Sequence, residues 1–159
     1  MEEQMARRLV AAEGKKLQQA GLVARTWGNI SCRIDENHFV ITPSGLDYET
    51  MTARDLVLMD IRNGVCCGAH KPSSEKGVHL AAYQTFPEVG YVIHTHQTYA
   101  TAIGLCGFEQ LAMTEEEAEK LGGIARAAYG LSSTEKLAGA VYDAMQLSLI
   151  HISEPTRPE

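Results

Sequence analysis

Apolar residues recur at helical spacing from Glu3 to Ala20, where Met5, Leu9, Val10 and Leu17 mark one face and Gly21 suits the stop. The period then shortens. Asn29 to Ile34 and His38 to Thr42 read as two short strands around the polar turn Asp35-Glu36-Asn37. Thr52 to Asp55 reads as one helical turn with Thr52 as N-cap, and Leu56 to Ile61 as a strand. Asn63-Gly64 is a hairpin turn signal leading into Val65-Cys66. Val78, Ala82 and Phe86, with Leu80 and Tyr83 beside them, predict a helix from Glu75 to Phe86 that ends before Pro87. Val89 to Ile93 is apolar, β-branched and aromatic, and reads as a buried strand. Thr98 to Leu105 predicts an apolar helix. Thr114-Glu115-Glu116-Glu117 opens another, its acids at the favoured end, and Gly122-Gly123 closes it. Gly123 to Tyr129 suggests a further strand. Ser132-x-x-Glu135 is a capping box before a helix to Gln146. Helices and strands mix along the whole length, which predicts a layered α/β arrangement, and 159 residues set one domain as the expectation.

Composition narrows the partners. The net charge is −6 and no basic stripe appears, which argues against nucleic acid and anionic membrane. No apolar stretch is long enough to span a bilayer. Met1-Glu2-Glu3-Gln4 is acidic and leads into a helix, unlike a signal peptide. Cys32, Cys66, Cys67 and Cys106 show no Cys-x-x-Cys spacing, so reduced thiols in a cytoplasm are expected.

The chemistry concentrates at His94-Thr95-His96, where the apolar strand ends. Side chains two apart on a strand share a face, so both imidazoles reach one point. Two imidazoles with an open position describe a catalytic zinc site better than a closed structural one. One helix upstream, Lys71-Pro72-Ser73-Ser74-Glu75 sets two hydroxyls and free backbone N–H groups before a helix, an arrangement that holds anions. Glu75 can then serve the metal as ligand or stand beside it as base. Taken alone, the same residues are an ordinary N-cap with a well-placed acid. Two polar turns complete the set. Thr26-Trp27-Gly28-Asn29-Ile30-Ser31 offers a glycine able to take positive φ and an amide donor. Thr42-Pro43-Ser44-Gly45 offers a hydroxyl and a close backbone approach. Trp27 reads as packing, His38 and His70 as solvated, and His79 as a helix-face histidine of structural use that could approach the site.

The set Gly28-Asn29-x-Ser31, Thr42-Pro43-Ser44-Gly45, Pro72-Ser73-Ser74-Glu75 and His94-x-His96 resembles the class II aldolase/adducin family over nearly all of residues 1–146. The resemblance implies a three-layer α/β/α sandwich with a mixed, largely antiparallel central sheet, assembled as a homotetramer. It implies zinc held by Glu75, His94, His96 and a third histidine from a later His-Gly motif, which has no match in residues 1–146. It implies a substrate phosphate held by Gly28, Asn29, Ser44, Gly45, Ser73 and Ser74. Glu75 then acts as catalytic base. The implied reaction is cleavage of a ketose 1-phosphate, of the L-fuculose 1-phosphate kind, to dihydroxyacetone phosphate and an aldehyde through a metal-stabilised enediolate. Epimerases of ribulose 5-phosphate and dehydratases of methylthioribulose phosphate share the pattern, although such epimerases carry Asp where Glu75 stands. Adducin-like heads have the fold without metal histidines and act as interaction modules. Glu115 to Leu121 lacks a tyrosine expected ahead of the paired glycines, so the aldehyde half is left open.

Residues 147–159 depart from the style of the chain. Leu147-Ser148-Leu149-Ile150-His151-Ile152-Ser153-Glu154-Pro155-Thr156-Arg157 resembles the in-frame translation of a sequencing-library adapter. The expectation is therefore a domain over 1–146, incomplete at its C-terminus, followed by a non-native tail. On that reading His151 is not recruited as a ligand.

Overall fold

The computed structural model describes residues 1–106, 112–121, 123–147 and 150–152. The chain forms two compact units, residues 1–96 and 97–159.

The first unit opens with α1 (Glu3–Gln19), continues through β1 (Asn29–Arg33), β2 (His38–Ile41), β3 (Val57–Asp60) and β4 (Cys66–Cys67), and closes with α2 (Lys76–Thr85) and β5 (Tyr91–His94). The five strands form one sheet in the order β4-β3-β2-β1-β5, antiparallel at every pairing. Alternation sends successive side chains to opposite faces. Ile30, Cys32 and Val40 pack with Ala6, Val10 and Ala11 of α1. Phe39, Ile41, Val57 and Met59 face the other way, against Tyr83 and Leu80 of α2. Helix, sheet and helix are therefore three layers, as expected.

The buried stripe of α1 is Ala6, Val10, Ala11 and Gly14. That corrects the expected face in part: Met5 is exposed and Leu9 only half-buried, whereas Val10 is buried and Leu17 packs against the core as expected. Small residues lie inside because loop side chains crowd the helix. A Cβ on Gly14 would meet the Tyr48 ring at 2.5 Å. Turns follow their side chains. Asp35 Oδ1 accepts the N–H groups of Asn37 and His38, turning β1 into β2. Asn63 Oδ1 accepts the N–H of Val65, with Gly64 at φ +69°, between β3 and β4. Thr52 and Asp55 bond reciprocally, but the segment is a turn rather than helix.

Arg33, the last residue of β1, does what the pattern of apolar positions could not announce. Its guanidinium donates to the carbonyls of Tyr83, Phe86 and Val89 and lies 4.7 Å from the Tyr83 ring centroid. It thus bonds the Tyr83 carbonyl in the last turn of α2 and the Phe86 and Val89 carbonyls of the segment that follows.

The second unit comprises α3 (Thr98–Leu105), α4 (Glu115–Leu121), β6 (Ile124–Arg126), α5 (Glu135–Met145) and β7 (Ile150–Ile152). Strands β6 and β7 pair in parallel, Ile124 opposite Ile150. The segment read as a tail therefore contributes a strand. Leu137, Val141, Ala144 and Met145 form the buried stripe of α5. Thr134, not Ser132, caps that helix by accepting the N–H of Leu137 at 3.2 Å. Ser133 takes φ +65°, and the capping position falls two residues later than the Ser-x-x-Glu spacing suggests.

Candidate metal centre

All the residues singled out for chemistry lie in the first unit, around the start of β1, the end of β5 and the entrance to α2. The pairing of β1 with β5 sets Asn29 directly opposite His94, and Ser31 opposite Val92. Asn29, Ser31 and His94 consequently face α2. Gly28 sits where the strands converge. It takes φ +84°, and a Cβ there would meet Val23 Cγ1 at 2.6 Å and the His94 carbonyl oxygen at 2.8 Å. Its glycine character is thus accounted for by backbone geometry alone.

Glu75 is the N-cap residue of α2, with φ −99° and ψ 17°, and makes no capping bond to its own helix. Ser73 Oγ accepts the Glu75 N–H at 3.3 Å, and the Ser73 carbonyl accepts the N–H of Lys76. That local turn frees the Glu75 carboxylate to point across the sheet. It is 5% exposed, and its Oε2 lies 2.5 Å from His94 Nδ1. His96 follows β5 and stacks on His94, ring centroids 4.9 Å apart and planes within 9°. One ligand atom from each of Glu75, His94 and His96 lies within 4.8 Å of the other two. Burial holds the His96 imidazole below its ordinary pKa, with neighbouring His94 adding to the effect and Glu75 opposing it. A neutral imidazole keeps its lone pair for a metal. Two imidazoles and a carboxylate form a donor set suited to zinc and leave coordination positions open for substrate. Trp27 is 36% exposed, and its ring centroid lies 6.0 Å from that of His96, so it borders this centre.

The two polar loops meet beside it. Ser44 N–H donates to the Lys71 carbonyl, Ser73 N–H donates to the Thr42 carbonyl, and Pro43 bridges Pro72. Thr42 in turn accepts the Ile30 N–H through its hydroxyl, tying both loops to β1. Ser44, Gly45 and Ser74 are exposed, whereas Ser73 is buried. Gly45 takes φ +73° with open space where a Cβ would be. The Asn29 side chain, expected on a phosphate, is 4% exposed and engages protein partners. Its Nδ2 donates to Glu75 Oε2 at 3.3 Å, and its Oδ1 lies 2.5 Å from His79 Nε2.

His79 is the residue the sequence pattern undervalued. It is fully buried on α2, one turn after Glu75, and its Nδ1 lies 2.6 Å from Ser31 Oγ. Ser31 continues to Tyr83 OH at 2.7 Å. The signal available in sequence was the spacing of four between Glu75 and His79, which shares a helix face. His38 pairs with Asp35 and His70 with Asp55, both partly exposed and away from the centre, as expected of solvated histidines.

Residues 8–153 match the family described as Class II Aldolase and Adducin N-terminal domain. Among solved structures, an L-fuculose 1-phosphate aldolase is 34% identical, with 94% of this chain and 71% of that chain covered at a TM-score of 0.85. An L-fuculose-1-phosphate aldolase from Thermus thermophilus is 25% identical, covering 96% of this chain and 74% of that one at a TM-score of 0.78. A sugar-phosphate aldolase from Thermotoga maritima, 18% identical, shares the fold at a TM-score of 0.69 over 91% of this chain and 78% of that chain.

Proposed function

Since the chain belongs to the class II aldolase and adducin family, we propose that it is a zinc-dependent lyase that cleaves a ketose 1-phosphate, of the L-fuculose 1-phosphate kind, to dihydroxyacetone phosphate and an aldehyde. The observation that carries this reading is the convergence of Glu75, His94 and His96 within 4.8 Å. A bound zinc supplies Lewis-acid stabilisation of the charge that develops as the C3–C4 bond breaks. The remaining work falls to side chains. Ser44, Gly45, Ser73 and Ser74, with Gly28 and Asn29 behind them, form the phosphate pocket at the entrance to α2. The partial positive charge of that helix end favours an anion there. Holding the phosphate, which does not react, fixes the sugar carbons against Glu75. The Glu75 carboxyl delivers a proton to C3 of the product in cleavage, and removes it in synthesis.

A chain completed past Gln146 with the third histidine is expected to retain about one zinc per molecule after desalting, the stoichiometry of one catalytic centre, and to release dihydroxyacetone phosphate from L-fuculose 1-phosphate until a chelator is added, whereas a chain with two histidines alone is expected to be inactive. The variant E75Q should still bind inorganic phosphate. Its exchange of the C3 proton of dihydroxyacetone phosphate with solvent should be at least about 10²-fold slower, the usual contribution of a positioned base. Unchanged exchange in E75Q would remove Glu75 from its role. Epimerisation of L-ribulose 5-phosphate without cleavage would point to the epimerase chemistry of the same family. Absence of zinc would favour an interaction module. We also read residues 147–159 as non-native and the third histidine as belonging to a later strand. Source DNA past the codon for Gln146 should then encode a strand with His-Gly, and a natural stop after Glu159 would leave two histidines.

A further inference from the structure

Five buried polar residues form a chain that ends on the Glu75 carboxylate, and hydrogen-bonding rules fix the direction of every link. A carboxylate only accepts, so the Asn29 group facing Glu75 Oε2 at 3.3 Å is the NH2. The Asn29 group facing His79 is then the carbonyl oxygen, which also only accepts. His79 Nε2, 2.5 Å away, must therefore carry the proton. A neutral imidazole with Nε2–H leaves Nδ1 as acceptor, so Ser31 donates its hydroxyl to Nδ1 at 2.6 Å. Ser31 Oγ in turn accepts from Tyr83 OH at 2.7 Å. All five residues are at most 5% exposed, so no link competes with bulk water.

We infer that His79 is a positioning residue, whose Nε2–H holds the Asn29 amide in the one orientation that donates to Glu75. Turned over, the amide would set its oxygen against a buried carboxylate and its NH2 against an N–H donor. Both contacts would be repulsive, and neither group could reach water to compensate. The same Oε2 that accepts from Asn29 lies beside His94, so the amide fixes the oxygen on the metal side of the carboxylate. Nothing in this chain of donors moves a proton along it. It serves to orient, as outer hydrogen bonds orient ligands in metal sites. The consequence for metal binding rests on the reading of Glu75 as a ligand, whereas the direction of the hydrogen bonds does not.

Two measurements separate these. The first is nitrogen-15 NMR of the wild-type imidazoles at neutral pH. His79 should be the Nε2–H tautomer. The Nδ1–H tautomer would reverse the chain and overturn the inference whatever the metal does. The second compares zinc affinity, by competition with a chromophoric chelator, among wild type, His79→Gln and His79→Leu. Glutamine carries an N–H that reaches the Nε2 position, while leucine fills the space without a donor. Zinc should bind His79→Gln near the wild-type affinity and His79→Leu about tenfold more weakly, the low end for loss of an outer hydrogen bond. A residue that only packs would lower thermal stability in the leucine variant and leave the affinity unchanged, and that result would overturn the inference. If the wild type binds no zinc, the metal reading fails and the tautomer alone decides the role of His79.

Discussion

His79 carries no charge at neutral pH, because complete burial, aided by His94 and opposed by Glu75, pushes its imidazole down to about 3. In the unfolded chain the same group titrates near 6.5. Between those values the unfolded state binds the extra proton, so the contribution to stability is complete above pH 6.5 and is lost as the pH falls towards 3. One proton corresponds to a slope of about 1.4 kcal/mol per pH unit within that window. Urea unfolding at pH 4, 5 and 6 should show the wild type losing stability more steeply than His79→Leu by up to that slope. Asp55 and Asp60, held low by Thr52 and Arg62 respectively, lose stability in the same direction, but they are common to both proteins and cancel in the comparison. Equal slopes would mean that His79 is protonated in the fold. Gly28 offers a second test at this scale. With φ +84° and the His94 carbonyl 2.8 Å from any added Cβ, Gly28→Ala combines a disfavoured backbone with an unyielding neighbour. A loss of about 1–3 kcal/mol in chemical denaturation is expected. A neutral result would show that the strand ends can separate.

At the scale of elements, local pattern and long-range pairing contribute differently. The strand at Tyr91–His94 was legible from its run of apolar, β-branched and aromatic residues and the helix at Lys76–Thr85 from its helical period. The expectation that the strand is buried is corrected, since Tyr91 is 49% and Ile93 55% exposed. The Glu75-Ser73-Ser74 turn and the His94-x-His96 pair were legible because each is a local spacing. What the sequence could not show is that Asn29 stands opposite His94, since register between strands some sixty residues apart has no local signature. The stripe of α1 was misplaced for a related reason. Hydrophobicity favours Met5 and Leu9 as inner positions, but the buried stripe is Ala6, Val10, Ala11 and Gly14, and the Tyr48 ring leaves no room for a Cβ at Gly14. Arg33 belongs to the same class, reading as a polar strand end while it anchors the end of α2. Arg33→Met keeps the aliphatic stem beside Tyr83 and removes donors to three carbonyls. Thermal unfolding should reveal a loss of about 1–3 kcal/mol, the range for hydrogen bonds from a charged donor. An unchanged midpoint would mean that water replaces the guanidinium without cost.

For the whole molecule, the division into residues 1–96 and 97–159 sets how far the metal centre can act. Among the described residues the proposed ligands, Glu75, His94 and His96, belong to the first unit, joined by β1, β5 and the entrance to α2. Ligand binding stabilises only what unfolds with the site. At a free zinc concentration 100 times the dissociation constant, the first unit should gain about 2.7 kcal/mol. Hydrogen exchange reads this gain residue by residue. Zinc should slow exchange in Asn29–Arg33, Tyr91–His94 and Lys76–Thr85 by up to about 100-fold, the exchange equivalent of that energy where opening requires unfolding of the unit. The amides of α5, Glu135–Met145, should be unaffected, because the helix and its cap Thr134, which accepts the Leu137 and Ala138 N–H groups, lie together in the second unit. A chelator should reverse the effect, and the same protection in a Cys66→Ser/Cys67→Ser variant would separate it from nonspecific binding at those exposed thiols. Equal slowing in α5 would show that the two units open together, and no slowing in β1 and β5 would place zinc elsewhere. Protection confined to the first unit is the pattern expected if three side chains, brought together by one strand register and one helix cap, are where the metal binds.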